Sequence, residues 1–532
     1  MTSSIKFVNN KRNTLNKSLD ETIDYMNTIG FTLHEHQIVG IKWMLEKELG
    51  GSILLEGENT IRGGLLCDVP GLGKTIQTCA TMWANNISKT LLIVPNAVVN
   101  QWVDAIQKIL PNKTIYIHHG TSRCKSIKEF ILKKADITIT TISMISNRQN
   151  TRTLLHHYIN WGRIIIDEVH YIRNSKSKGN MMACLLTSPI KWGLTGTPIQ
   201  NSEYDLFSLY KYIGVPQQYL YLSNIKEVNQ KMLLRRNKEV FRGNHISQLF
   251  YNDHMIKFVT EEERSIYYSI RKNISDEYLQ LMGRNVNSRE RSLVVLELLL
   301  RLRQASIHPH IAMNSIKRKF KMGFRQSFSG IPSKIISMID AIKQTGNDLC
   351  LVFCQFKDEM NVLESEFHKQ GIYSLKYDGT MNIAQRQQVI NQFSTQDTQT
   401  ELDALFSRIK LPHELEDHIK SYLPKVMLIQ INAGGVGLNL QQFKHVFITS
   451  PNWNPSNEIQ AVARAHRIGQ KHPVHVHRFI LYDQKEEFLT IDQYISDTQN
   501  KKLSIMSEIL NDDSINNVGI NSKLNVENLL IM

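Results

Sequence analysis

No run of about 18 apolar residues occurs in this 532-residue chain, and its opening stretch, MTSSIKFVNNKRN, lacks the apolar core of a secretory signal. Both absences argue against a membrane partner and for a soluble, intracellular protein. Cysteine is sparse. The six residues Cys67, Cys79, Cys124, Cys184, Cys350 and Cys354 are scattered, with one close pair and no second pair beside it, which excludes a zinc module and a disulfide framework. The histidines His118-His119, His156-His157, His475 and His477 fit no metal-ligand spacing and read as structural. One sign of charge is in deficit. Against 63 Lys and Arg stand 49 Asp and Glu, a formal net charge of +14, and such a balance favours a polyanionic partner.

Length implies two to four domains. Residues 1–25 are polar and read as a loose lead-in. Residues 26–240 alternate short apolar runs with amphipathic stretches: Leu65–Cys67, Thr90–Pro95, Ile137–Thr141 and Arg163–Ile166 as strands, with helices at Ile38–Leu45 and Ala97–Leu110. Residues 241–332 change to long helices, one opened by the capping box Thr260–Glu263, and read as a helical connector. Within it, 317–325 (KRKFKMGFR) mixes basic residues with phenylalanine, and a solvated linker is preferred to a nucleic-acid contact. Alternation resumes over 333–495, with strands at Leu349–Phe353, Ser374–Tyr377, Val426–Ile431, Val446–Thr449 and Val474–Ile480. A polar insertion at 395–424 and a tail at 496–532 complete the chain. The fold class is therefore α/β, with two parallel sheets covered by helices on both faces.

The chemistry centres on residues 62–83. An apolar strand runs into Asp68-Val-Pro-Gly71-Leu72-Gly73-Lys74-Thr75 and then into an amphipathic helix. Gly71 and Gly73 let the backbone wrap an anion, Lys74 reaches the β and γ phosphates, and Thr75 suits Mg²⁺. The general motif has glycine where this chain has Asp68. A second element, Asp167-Glu168-Val169-His170, follows an apolar strand about ninety residues on. At that strand end Asp167 suits the metal shell and Glu168 the activation of water. Third, Asn454 and Pro455 open a helix expected to run to Gly469, on which Gln460, Arg464 and Arg467 share one face aimed at an anion. The turns Leu194–Asn201 and Asn432–Asn439 read as relays, the latter with glycine amides able to grip a phosphate.

These blocks, HEHQIVGIKWM, DVPGLGKT, LLIVPNAVVNQW, DEVH, LTGTPIQN, LLRRNK, LVFCQF, YDGTMNIAQRQQVINQF, INAGGVGLNL and QAVARAHRIGQ, stand in an order that resembles the Swi/Snf-type ATPases of helicase superfamily II. WGRIIIDEVHYIRN and RLRQASIHP resemble most the branch of the helicase-like transcription factor and the postreplication-repair ATPases, without the cysteines of its RING domain. The resemblance implies two tandem RecA-like lobes, ATP and Mg²⁺ as cofactors, double-stranded DNA as partner, and protein–DNA complexes as the substrate of a monomeric motor. It implies adenine recognition by Gln37 and nucleotide contacts from Asp68, Gly71, Leu72, Gly73, Lys74, Thr75, Gly435 and Gln460. Thr75 and Asp167 would hold the metal, Lys74, Asp167 and Glu168 would act in hydrolysis, and Arg464 and Arg467 would be arginine fingers. Three departures stand out: Val69-Pro70 in place of Glu-Met, Ala463 where an acidic residue is common, and the 395–424 insertion. A duplex-DNA translocase leads, ahead of a strand-separating DNA or RNA helicase and of a non-hydrolysing ATP- and DNA-binding scaffold. The site of action would be the nucleus of a eukaryote, or a virus's replication site or virion.

Overall fold

Short runs such as Arg-Ile-Ile-Ile-Asp and Cys-Leu-Val-Phe-Cys have no polar face, so they are stable only as central strands covered on both sides. In the computed structural model they are. The structure describes residues 18–53, 60–120, 123–146, 155, 160–237, 247–282, 288–320, 328–394, 424–431, 438–510 and 512. Two units form, one of Met1–Asn244 with Ser504–Asn517 and one of His245–Leu503 with Val518–Met532.

In the first unit the described strands are β1 (Ser52–Ile53), β2 (Thr60–Leu66), β3 (Thr90–Ile93), β4 (Ile115–Ile117), β5 (Ile137–Thr140), β6 (Arg163–Asp167), β7 (Ile190–Leu194) and β8 (Leu233–Leu234). They lie in the order β1-β2-β7-β6-β3-β5-β4, with β8 also on β2. All pairings are parallel except β1 with β2. Helices connect the strands; one, Val99–Ile109, buries Val99, Trp102, Ile106 and Ile109 at helical spacing against the sheet. The expected loose lead-in is helical over 18–28, where Leu19 and Met26 are buried and Tyr25 stacks on Trp83 at 4.3 Å. Two apolar anchors at that spacing are enough to fix a helix that its polar composition concealed.

Beneath this sheet Glu48 is fully buried and accepts from Arg163 Nε at 2.7 Å, Trp192 Nε1 at 2.8 Å and Asn85 Nδ2 at 2.7 Å. One carboxylate thereby ties the helix Glu35–Leu49 to β6, β7 and the end of the helix Lys74–Ala84.

The second unit's described strands are β9 (Leu249–Lys257), β10 (Cys350–Cys354), β11 (Ser374–Tyr377), β12 (Val426–Gln430), β13 (His445–Ile448) and β14 (Val474–Tyr482), all parallel, in the order β11-β12-β10-β13-β14-β9. β9 corrects the expected all-helical connector. It pairs with β14 from Leu249↔Val474 to Lys257↔Tyr482. Its sequence, LFYNDHMIK, carries polar residues because it is an edge strand with one covered face. The helices Glu261–Met282, Ser288–Ile307 and Pro309–Phe320 follow, and Ile266, Ile270, Ile274, Leu298 and Leu302 join the same core as Val352 and Phe479. The insertion expected over 395–424, apart from its last residue, and the side chains of 317–325 lie outside the described residues.

On one face of β9, β14 and β13, imidazoles form a chain: His254 Nε2 lies 3.0 Å from His477 Nδ1, and His477 Nε2 lies 3.1 Å from His445 Nδ1. Burial, then the neighbouring imidazoles, push His477 down to about 3. Burial is also the main cause of the lowering at His254 and His445, which Asp253 and Asp348 respectively oppose.

Two outcomes follow. Glu48→Gln leaves Arg163 buried without its counter-charge and should cost about 3–5 kcal/mol, read as an earlier urea transition of Trp192 fluorescence. For the imidazole chain, the unfolded state binds protons below about pH 6.5 that the folded state refuses, so stability rises with pH across that window. Lowering the pH from 7.5 to 5 should destabilise the second unit by about 1 kcal/mol after allowance for partial exposure. His477→Gln should flatten that slope in thermal melts.

Candidate nucleotide site

β2 ends at Leu66, and the chain runs on beside the neighbouring chain before it turns at Gly71. Two bonds to the neighbouring chain steer it: Cys67 N donates to Leu234 O at 2.6 Å and Val69 N to Arg236 O at 3.1 Å. Gly71 and Gly73 then take φ of 96° and 79°, the left-handed region that side chains resist. Gly73 has a second reason, since a Cβ there would stand 2.4 Å from Gln37 Nε2. The helix Lys74–Ala84 starts at once, so its unsatisfied N–H groups and dipole face the turn.

The turn is held from behind. Asp68, fully buried, accepts from Arg236 Nε at 2.9 Å and Nη2 at 2.5 Å, and from Gln77 Nε2 at 3.2 Å. Arg236 also reaches Gln77 Oε1 at 2.8 Å and the carbonyl of His36. Asp68, expected at the nucleotide, points its carboxylate into the protein, and its main-chain oxygen accepts from Lys74 Nζ at 2.7 Å. Leu72, likewise expected to touch nucleotide, turns its carbonyl inward, where it accepts from His36 Nε2 at 3.0 Å, Gln77 Nε2 at 3.2 Å and, at the limit, Gln37 Nε2 at 3.5 Å. A trans peptide sets C=O and N–H on opposite sides, so anchoring this carbonyl turns the Gly73 amide outward. Gln37 is buried, and its Oε1 accepts from His34 N at 3.0 Å, closing a capping box. Gln37, expected to recognise adenine, lies beside Leu72 O and Gly73 of the turn.

Asp167 ends β6. Its Oδ2 accepts from Trp102 Nε1 at 2.8 Å and its Oδ1 from Glu168 N at 2.9 Å. Desolvation and the adjacent Glu168 push its carboxyl up to about 6, against the pull of Trp102 and of the Lys74 ammonium. The Lys74 ammonium of the phosphate turn is thus felt at the end of β6. Glu168 has φ 49° and ψ 50°, a left-handed conformation costing about 1 kcal/mol in a non-glycine residue. His170 Nδ1 lies 2.9 Å from Thr195 Oγ1 and 3.2 Å from Glu168 Oε2, which links the acidic element to the Thr195-Gly196-Thr197 turn. Arg235 Nη1 donates to Cys67 O at 3.1 Å and to Gly196 O at 2.9 Å, joining that turn to the start of the phosphate turn.

In the second unit Asn454 caps the helix as expected, accepting from Ser456 N, but the helix is Pro455–Ala465. Gln460 and Arg464 lie on it, both half-buried. Arg467 lies beyond it. The backbone leaves the helix at His466, whose ring Nε2 bonds Ser247 O at 2.7 Å, so the expected single face of three residues is broken after Arg464. Gly469 has φ 93° in the turn that follows. Gly435 and the rest of 432–437 lie outside the described residues.

Residues 36–220 match the SNF2-related domain, and 333–407 with 412–469 match the helicase conserved C-terminal domain. The chain belongs to the SNF2 family of DNA-dependent ATPases, hydrolases of the helicase superfamily. It is 26% identical over 510 residues to a probable global transactivator of Orgyia pseudotsugata multicapsid polyhedrosis virus, covering 91% of this chain and 92% of the relative. It is 23% identical to the DNA repair protein RAD5B of Arabidopsis thaliana (93% of this chain, 52% of the relative) and 26% identical to the human helicase-like transcription factor (75% and 49%). This SNF2 chain therefore spans about half the length of those two cellular relatives. A solved Sulfolobus solfataricus SWI2/SNF2 ATPase core in complex with dsDNA aligns over 91% of this chain and 94% of its own at 23% identity, with a TM-score of 0.36. Among the described residues, no helix is long and apolar enough to cross a membrane.

Around the SNF2 site the sequence reading missed Arg236, Gln77, His36, Trp102 and Arg235. Each stands within or beside a quoted block, yet its partner is remote in sequence: Arg236 and Asp68 are 168 residues apart, Trp102 and Asp167 65. Spacing cannot reveal such pairs. Gly73→Ala should weaken binding of a fluorescent ATP analogue at least tenfold with little loss of fold, because it combines left-handed strain with a clash at Gln37.

Proposed function

We propose that this SNF2-family chain hydrolyses ATP in a reaction stimulated by duplex DNA and uses the energy to move along the duplex and displace bound proteins. Phosphoryl transfer needs positioning and charge neutralisation more than covalent chemistry. The observation that carries the reading is the left-handed glycine turn leading straight into the Lys74 helix, with Lys74 Nζ on Asp68 O at 2.7 Å and the Lys74 ammonium near enough to Asp167 to oppose the rise that burial gives its carboxyl.

In this reading Gly71, Gly73 and the first amides of the helix Lys74–Ala84 cradle the phosphates, and Lys74 exchanges its bond to Asp68 O for phosphate oxygens. Thr75 hydroxyl and Asp167 carboxylate are hard oxygen donors, a set that suits Mg²⁺, and the cost of keeping Asp167 ionised falls beside a dication. The metal supplies charge neutralisation on the phosphates. Glu168, held in a strained backbone conformation at the strand end, orients and deprotonates water. Arg464 and Arg467 provide the cations for the developing charge, with Gln460 and Gly435 as further nucleotide contacts. Gln37 sets the wall against which adenine binds. The net charge of +14 supports a polyanionic track. Localisation follows duplex DNA, to a nucleus or to a viral replication site.

ATP turnover of the purified protein tests this, measured with no polymer, duplex DNA, single-stranded DNA or RNA. Stimulation by duplex DNA is expected, with Glu168→Gln lowering turnover at least a hundredfold while ATP binding persists. Preferential stimulation by RNA or single strands would replace the translocase with a strand-separating helicase, and binding without turnover would leave a scaffold.

A further inference from the structure

Residues after 495 read in sequence as a tail, yet Ser504–Asn517 belongs to the first unit. The described part makes specific contacts there. The helix Ile491–Leu510 delivers Ile509 O to Asn229 Nδ2 at 2.8 Å, and Asn229 Oδ1 accepts from Tyr210 Oη at 2.5 Å. Two residues past the helix, Asp512 Oδ2 accepts from Arg235 Nε at 2.8 Å, with side-chain exposures of only 10% and 8%. Asp512 N itself is tied to Ser507 O at 3.1 Å, which fixes the carboxylate's backbone.

Arg235 cannot serve its carbonyl partners from an arbitrary rotamer. Its Nη1 spans Cys67 O and Gly196 O only if the planar guanidinium is set in one orientation, and the carboxylate on Nε supplies that setting. Beside Gly196, Thr195 Oγ1 hydrogen-bonds His170 Nδ1 at 2.9 Å, and the same Nδ1 stands at ion-pair distance, 3.2 Å, from Glu168 Oε2. The phosphate turn has a further lock of its own in the Asp68–Arg236 ion pair, made by side chains other than those of Arg235 and Asp512. Gly196 also packs against Pro70, where a Cβ would stand 2.6 Å from the ring, so the two turns have little freedom to compensate for a displaced Arg235.

We propose that Arg235 is a positioning residue for ATP hydrolysis and that Asp512, from beyond the C-terminal helix, fixes its orientation. Asp512 is then a working part of the nucleotide site. The inference rests on the hydrolytic reading given under Proposed function. It assigns Arg235 and Asp512 to the setting of Glu168 through the Thr195–Thr197 turn, separately from nucleotide capture by the Gly71–Thr75 turn.

The separation gives the test. In the full chain with saturating duplex DNA, Asp512→Asn should lower kcat roughly tenfold while KM and the affinity for ATP change less than twofold. Asp512→Glu should restore at least half of the wild-type kcat. Arg235→Lys, whose compact ammonium cannot span three acceptors, should lose at least as much as Asp512→Asn. Glu227→Gln, which removes a half-exposed pair with Lys231 on the neighbouring helix, should change neither constant. A purely structural contact would lower the melting temperature and the titre of ATP-binding sites in parallel, with kcat per bound nucleotide unchanged, and that result overturns the proposal. So does wild-type kcat in Asp512→Asn. If the wild-type protein binds ATP without turning it over, the hydrolytic reading fails first and the inference with it, which is distinct from failure of the variant alone.

Discussion

The phosphate turn is built around the ion pair between Asp68 and Arg236. Both side chains are nearly withdrawn from water, and the desolvation penalty for two such charges is several kcal/mol each unless geometry and further hydrogen bonds offset it. Here they do: the contact is bidentate, Gln77 bonds both partners, and the remaining guanidinium nitrogen reaches the carbonyl of His36. The pair therefore fixes the base of the phosphate turn, the start of the Lys74 helix and the helix carrying Gln37 in one arrangement. An isolated glycine turn would sample many conformations. With its Leu72 carbonyl and Asp68 carboxylate both anchored, this one keeps its amides oriented before any anion arrives, and such preorganisation is the main electrostatic resource of an active site.

The local part of this was legible in sequence. A strand, a two-glycine turn and a helix are all encoded within about twenty residues, and the sheet strands announce themselves as apolar runs because parallel strands are covered on both faces. What stayed hidden is non-local. Nothing in the spacing of Arg235 and Arg236 says that one faces Asp68 and the other Cys67 O, Gly196 O and Asp512, since those contacts exist only once β8 lies beside β2. β9 was hidden for a related reason. An edge strand with one exposed face carries polar residues and looks, in sequence, like the approach to a helix. Arg467 was misplaced because helical periodicity was extended to the nearest glycine, while the helix ends four residues earlier, at Ala465.

The departures from the family pattern are better understood from packing than from chemistry. Val69 and Pro70 stand in the turn at positions whose side chains need not touch phosphate. Val69 contributes its amide to Arg236 O, and Pro70 fills the space above Gly196. A proline fixes φ and removes conformations from the unfolded turn, so its presence tightens the link between the phosphate turn and the Thr195–Thr197 turn. The substitution alters how the two turns are coupled and leaves Lys74, Thr75, Asp167 and Glu168 in place.

Strain and anchoring then divide the work at this site. The phosphate turn is anchored redundantly, by Asp68, Gln77, His36 and the chain beside it, so its geometry resists a single perturbation. Glu168 is held differently. It sits in a left-handed conformation that its own side chain disfavours, and the surrounding structure must hold it there continuously through Asp167, His170 and the turn at Thr195. A residue held against its own preference responds most when one of its supports shifts. In the proposed reading, the setting of Glu168 is therefore where hydrolysis and capture of nucleotide separate, and the contacts next to it lead through His170 to the Thr195–Thr197 turn and Arg235.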